Sequence, residues 1–333
     1  MNRFPPIRRT ASALLAPLVL VAVLSGCGSS SSSSQAASAA PSASTSAGST
    51  GASGGSSPAG GGKFVVVAGE NFWGSIASQL AGNKATVQSI IVNPATDPHS
   101  YQPTAQDART IAGAKMAIPN RIGYDKWMDQ AIAANPVSGR VVLSVGDLLG
   151  LKEGNNAHQW YSPSSVLKVV NQIVVDYDKL DPADSAYFAQ QKQTFLTQEL
   201  AQYRQLINEI RAKYAGTPIG YSESIFQPLG AALGLKLLTP YSFAKAIAEG
   251  TEVTAQDKQT VDSQAQNRQI KVWAYNSQNV TPDVQRVTSI VKAQHIPIAT
   301  VTETLSPATD SFEQWQVAEL KGLMAALHQA TGR

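Results

Sequence analysis

The chain has 333 residues, 43% of them hydrophobic and 15% charged, with a single cysteine and a formal charge of +3. That excess lies in Arg3, Arg8 and Arg9, so the rest of the chain is neutral and carries no basic run, which argues against a nucleic-acid or polybasic membrane role. Residues 63–333 suffice for two ordinary domains, and a lone cysteine leaves no disulfide within the chain, so the fold must rest on its cores alone.

In chain order, residues 1–26 read as a secretory signal: a positive end, an apolar run from Ala11 to Leu24, then small residues. The run is too short to span a bilayer as a lasting helix. It closes on Leu24-Ser25-Gly26-Cys27, which resembles the lipobox of bacterial lipoproteins. The resemblance implies cleavage before Cys27 and a diacylglyceryl group on its sulfur, hence an extracytoplasmic protein held to the membrane by lipid. Residues 28–62 are almost wholly Ser, Ala, Gly, Thr and Pro, with no charged or aromatic side chain. Such a segment cannot bury enough apolar surface to offset its ordering entropy and is expected to be a disordered tether, with a typical end-to-end distance of about 30–35 Å.

From Lys63 onward strand and helix signals alternate. Strands are predicted at 64–68, 87–92, 116–119 and 141–145, and helices at 71–80, 105–112, 124–134 and 163–177. The pattern then changes. Residues 182–214 contain neither Gly nor Pro after Pro182, and an apolar stripe runs through Phe188, Phe195, Leu196, Leu200, Tyr203, Ile207, Ile210 and Tyr214. With Asp181 as N-cap and Gly216 as stop, this predicts one helix of about 30 residues, about 45–50 Å long. Alternation resumes with strands at 219–222, 236–238, 270–275 and 298–302, and helices at 224–233, 255–265, 282–292 and 312–328. The expected fold is α/β: two α/β lobes, 63–180 and 216–333, joined by a single long interlobe helix, 181–215. No internal repeat is convincing.

Four histidines are present. His99 lies in a Pro-bracketed loop, Asp97-Pro98-His99-Ser100-Tyr101-Gln102-Pro103, and His158 in Asn156-Ala157-His158-Gln159-Trp160. Both follow predicted strands, where α/β folds gather ligands. Taken alone, each reads as a surface or hydrogen-bonded histidine. His295 and His328 read as structural or solvated.

Taken together, the two runs resemble the metal-ligand motifs of zinc- and manganese-type receptors for ABC importers. The second is usually Asn-Pro-His-x-Trp in that family. The segment after Leu180-Asp181-Pro182 stands where the family has its interlobe helix, and the resemblance covers residues 63–333. It implies a third ligand at Glu223, in Glu223-Ser224-Ile225-Phe226, where a zinc-type receptor has histidine. It implies a fourth at Glu303, in Thr302-Glu303-Thr304. The implied site between the lobes, His99, His158, Glu223 and Glu303, pairs two imidazoles with two carboxylates. Carboxylate in place of imidazole hardens a site toward manganese or ferrous iron, yet zinc outranks manganese in intrinsic affinity, so ligand type leaves the metal open. Two departures stand out: Ser162 replaces the usual Asp, and residues 148–157 contain no histidine and only Glu153 as an acid.

The implied function is a monomeric, membrane-anchored receptor that delivers a divalent transition metal, manganese, zinc or ferrous iron, to an ABC permease. Two other classes share these residues: a metal-dependent hydrolase, and a surface adhesin on the same scaffold. The chain has no Gly-x-Ser-x-Gly elbow, no His-Glu-x-x-His helix and no phosphate-binding glycine loop, so no enzyme activity is expected.

Overall fold

The structure, a computed structural model, describes residues 63–333; the signal, Cys27 and the tether lie outside the described residues. Strand β1 (Phe64–Glu70) is a β-branched apolar run, most of it fully buried, as a central parallel strand requires. It pairs in parallel with β2 (Ala85–Ile91) on one side and β3 (Met116–Ile118) on the other, and β3 pairs with β4 (Val141–Val142), giving the order β2-β1-β3-β4. Strands β5 (Pro218–Tyr221), β6 (Lys236–Leu237), β7 (Val272–Asn276) and β8 (Ile298–Val301) form a second parallel sheet in the order β6-β5-β7-β8.

The two sheets therefore share one topology, although their sequences do not reveal it. Topology depends on which runs can be buried centrally, and many unrelated side chains satisfy that condition. In each sheet the chain leaves the first strand to one side and returns on the other. That reversal opens a crevice beyond the strand C-termini, at β1/β3 and at β5/β7.

Two helices were not expected. The predicted strand 141–145 stops at Val142, because the Ser144 side chain accepts from the Asp147 amide and caps a short helix, Val145–Leu149. A helix at Tyr241–Ala248 buries Phe243, Ala244 and Ile247.

The segment read as one regular helix is helical but not uniform. A 3₁₀ turn at Pro182–Asp184 leads into an α-helix at Ser185–Thr194, a π-turn at Phe195–Glu199 and a second α-helix at Ala201–Tyr214. Its buried stripe runs Phe188, Phe195, Leu200, Tyr203, Leu206, Ile210 and Tyr214, with Leu196 and Ile207 only partly buried. The step from Phe195 to Leu200 is five residues, one more than an α-turn allows on one face. The Leu200 amide donates to the Phe195 carbonyl at 2.9 Å, so the π-turn absorbs the extra residue and keeps both side chains inward.

One apolar cluster runs through both sheets and this stripe, with Phe72 and Trp160 stacked at 3.9 Å within it. The outer face of each sheet has a smaller cluster of its own. The closing helix, Phe312–Thr331, also reaches the first half of the chain: the Phe312 amide donates to Ser75 Oγ at 2.9 Å, and Gln79 Nε2 donates to Glu313 Oε2 at 2.9 Å. Among the described residues no helix is long and apolar enough to cross a membrane.

Candidate metal centre

Acidic and imidazole side chains from the two halves of the chain meet in one cluster. Glu223 follows β5 and Glu303 follows β8. His158 comes from the loop between the Val145–Leu149 helix and a 3₁₀ turn at Gln159–Tyr161. One ligand atom from each of the three lies within 4.8 Å of the others. His158 Nε2 stands 3.5 Å from Glu223 Oε1 and 3.5 Å from Glu303 Oε2. The side chains are 2%, 1% and 12% exposed for His158, Glu223 and Glu303, so the donors are shielded from bulk water.

The orientation of His158 is fixed by its neighbour. The Asn156 amide nitrogen donates to the Ser224 carbonyl at 2.8 Å and to Gln227 Oε1 at 3.1 Å, which turns its oxygen toward His158. That oxygen accepts the His158 backbone amide at 3.0 Å and faces Nδ1 at 2.8 Å. An acceptor there assigns the hydrogen to Nδ1 and leaves the Nε2 lone pair aimed at the carboxylates. Nε2 is buried and has no hydrogen-bond partner, an orphan that a cation would satisfy.

The carboxylates are held as firmly. Asn276, the last residue of β7, donates from Nδ2 to Glu223 Oε2 at 2.5 Å and to Glu303 Oε1 at 2.8 Å. Gln278 Oε1 accepts the Glu303 amide at 2.7 Å. Tyr124 donates to Glu303 Oε2 at 3.0 Å. Tyr124 itself follows two residues with left-handed backbone, Arg121 (φ 59°) and the β-branched Ile122 (φ 58°), a conformation rare for such residues. The loop is secured by Asp125, whose carboxylate accepts the Asn120 and Arg121 amides at 2.7 and 2.6 Å.

Burial, then the charge of Glu303, holds the Glu223 carboxyl well above the usual range. Burial alone would raise Glu303 too, but the facing His158 ring in its charged form and the bond with Glu223 hold it below. The pair thus shares its charge unequally, with Glu223 the harder of the two to ionise. Burial raises the Tyr124 phenol well above its ordinary value, keeping it a donor.

His99 is not part of this three-donor cluster. The residue is exposed at the cleft mouth, with its ring edge-on to Tyr124 at 4.7 Å. Desolvation of that ring lowers its pKa, and the nearby Glu303 only partly opposes this. His99 borders two cavities. One of about 310 Å³ reaches Glu223 and Glu303, and one of about 380 Å³ reaches His158. His295 ends the Pro282–Ala293 helix with φ 54°, and His328 Nδ1 lies 2.6 Å from the Arg333 carbonyl; neither joins the site.

Sequence reasoning missed Asn276, Gln278 and Tyr124. The only signal was a polar residue closing an apolar strand, Val272–Asn276, and its meaning depends on which strands flank β7.

A family model described as "ZnuA: Zinc-uptake complex component A periplasmic" matches residues 66–326. The chain is 29% identical over 139 residues to "Iron-binding protein YfeA" of Yersinia pestis, covering 40% of this chain and 44% of that protein. It is 24% identical over 147 residues to "Manganese-binding lipoprotein MntA" of Halalkalibacterium halodurans, covering 43% and 48%. The chain thus spans a little under half the length of these curated relatives. Among solved structures, a manganese-bound periplasmic metal-binding protein from candidatus liberibacter asiaticus is similar at a TM-score of 0.67 and 18% identity, over 80% of this chain and all of that one. The periplasmic zinc-binding protein TroA from Treponema pallidum is similar at 0.65 and 18%, over 80% and 99%. At such identities the likeness is one of fold. The family match, by contrast, runs from β1 into the closing helix and takes in His99, His158, Glu223 and Glu303, and the chain belongs to the ZnuA family.

Proposed function

We propose that this chain is an extracytoplasmic receptor that captures one divalent transition metal, manganese, zinc or ferrous iron, between its lobes and delivers it to an ABC permease. The observation that carries the reading is the buried, unpartnered His158 Nε2 facing two carboxylates. His158, Glu223 and Glu303 hold the cation, and His99 completes the set from the cleft mouth. Two carboxylates balance the charge of a divalent ion, and the imidazoles bind in their neutral form. Relatives named for iron and manganese support the metal class. The arrangement suits a receptor better than a hydrolase, because both carboxylates are tied to one amide and neither is free to act as a general base. Protein stripped with a chelator is expected to take up one equivalent of Zn²⁺ or Mn²⁺ and to hydrolyse nothing. Measured uptake of no metal, or catalytic turnover with metal bound, would reject the receptor.

In the same reading, residues 1–26 are removed on export, Cys27 carries the lipid, residues 28–62 are the tether, and residues 181–215 join the lobes of a monomer. Cys27→Ser is expected to move the protein from the membrane fraction to the soluble one once the signal is cut, since residues 28–62 carry no apolar run and among the described residues no helix could cross a membrane. Fractionation and mass measurement of the mature N-terminus check this. Wild-type protein that is soluble and unmodified at Cys27 would end the lipid claim.

A further inference from the structure

The Asn276 amide stands between the two acidic ligands because of the sheet order. Strand β7 lies between β5 and β8, with Tyr221 opposite Ala274 and Val301 opposite Asn276. Continued two residues beyond Tyr221, that register sets Glu223 beside Asn276 on one side. On the other, Glu303 lies two residues beyond Val301. Asn276 is fully buried. Both of its amide hydrogens are committed, one to Glu223 Oε2 and one to Glu303 Oε1. Its own oxygen accepts the Gln278 amide at 2.9 Å, and its backbone amide donates to Ser222 Oγ at 2.9 Å. The side chain cannot flip, because a flip would set its oxygen against two carboxylates and its NH₂ against an N–H.

We propose that Asn276 determines the metal preference of the site by holding one oxygen of each carboxylate, so that Glu223 and Glu303 each present a single oxygen to the cation. The proposal rests on the reading of His158, Glu223 and Glu303 as ligands. With both carboxylates monodentate, the protein offers at most four donors: His158 Nε2, Glu223 Oε1, a nitrogen of His99, and Glu303 Oε2, which shares its lone pairs with the Tyr124 hydroxyl at 3.0 Å but, unlike the oxygens held by the fixed Asn276 amide, also faces His158 Nε2. Four donors of N and O type match tetrahedral zinc. Manganese favours six, mostly oxygen, and would need the carboxylates to turn and bind through both oxygens. The ligand types alone would favour manganese, and the clamp works against that choice. A neutral amide suits the task, since it donates twice to buried acids without adding charge of its own.

The test compares Zn²⁺ and Mn²⁺ affinities, by competition with chelators, in the full chain carrying Asn276→Ala or Asn276→Thr. Loss of an outer-shell partner costs about 10–100-fold in metal affinity, and that loss is expected for zinc in the alanine variant. Manganese affinity should fall less or rise, so the zinc-to-manganese affinity ratio should drop by at least about 10-fold. The threonine variant retains one donor and should lie between. X-ray absorption on the manganese-loaded alanine variant should show more oxygen neighbours than on the wild type, a change that general loosening would not produce. An unchanged affinity ratio with unchanged coordination number overturns the proposal. So does a zinc-loaded wild type whose spectrum requires a bidentate carboxylate, which needs no variant to fold. If His158→Ala leaves affinity intact, the ligand reading itself has failed. If His158→Ala abolishes binding while the Asn276 variants weaken both metals equally, only the clamp has failed.

Discussion

His158→Ala is expected to lower the affinity for both Zn²⁺ and Mn²⁺ by more than about 100-fold, beyond the roughly 10–100-fold that loss of an outer-shell partner costs. The argument is positional. Nε2 of this ring faces both carboxylates at 3.5 Å, has no other partner and is buried. Its lone pair is aimed by a hydrogen bond at the opposite nitrogen. Alanine leaves two carboxylates in a desolvated cleft with no imidazole, and Glu223 then keeps its proton more readily. The fold should survive, because His158 lies in a loop and the stacked Phe72–Trp160 pair beside it does not depend on the imidazole. His99→Ala should cost less and act mainly through faster release, since His99 lies outside the three-donor cluster at the mouth. Calorimetric titration with chelator competition measures the affinities, and stopped-flow release separates the two histidines. Wild-type affinity in His158→Ala would remove the interlobe site from consideration.

The parts of this molecule that were legible in the sequence are those with local causes. Residues 64–68 read as a buried strand because a β-branched apolar run is buried wherever it lies, and the structure extends it to Glu70. Residues 163–177 read as a helix within the strand–helix alternation, and the structure runs it to Leu180 with Ser162 as cap and Pro163 in the first turn. His99 and His158 stood out because each lies in a worded motif. Glu223 and Glu303 did not stand out by chemistry; only the family resemblance nominated them. What brings them together is strand order, with β7 between β5 and β8, and spacing along the chain carries no trace of that. For the same reason Asn276 was invisible: an asparagine closing an apolar strand acquires its role only from the neighbours on each side. The π-turn was hidden by two adjacent apolar residues. Phe195 and Leu196 each complete a plausible stripe, and only packing selects Phe195. The Tyr241–Ala248 helix was missed because its three buried residues span little more than one turn.

Metal-free protein is expected to lose stability as pH rises from about 5.5 to 8.5, while the stabilisation conferred by metal grows over the same range. Four buried carboxyls set the first trend. Burial, aided by its neighbour Asp125, holds Glu70 well above the usual range, and neither of its oxygens has a partner. Burial also raises Asp125 to about 7 and Glu319 to about 8, and Glu223 lies well above its ordinary value. Each group binds its proton more tightly folded than unfolded. Its stability contribution is therefore complete below the unfolded pKa near 4 and is lost as pH climbs through the folded value, by at most about 1.4 kcal/mol per pH unit for each proton. Glu303, held low, has the opposite sign, but its loss falls below this window. His99, also held low, costs stability only as pH drops under about 6.5, one group against four. Metal reverses the trend because Glu223 must release its proton to bind, so protons compete less as pH rises. At free metal 100 times the dissociation constant the gain is about 2.7 kcal/mol. Glu319→Gln supplies the control. Glu319 accepts Thr302 and Trp315 donors on one oxygen and meets Tyr161 on the other, contacts an amide can keep without a proton to lose. That variant should flatten the metal-free slope above pH 7 and leave the metal increment at pH 7 unchanged. Thermal unfolding with and without Zn²⁺ at three pH values reads all of this. Metal-free stability that climbs from pH 6 to 8.5 would mean that these carboxyls are ionised in the folded chain, and the assignment of Glu223 as the proton-releasing ligand would fall with it.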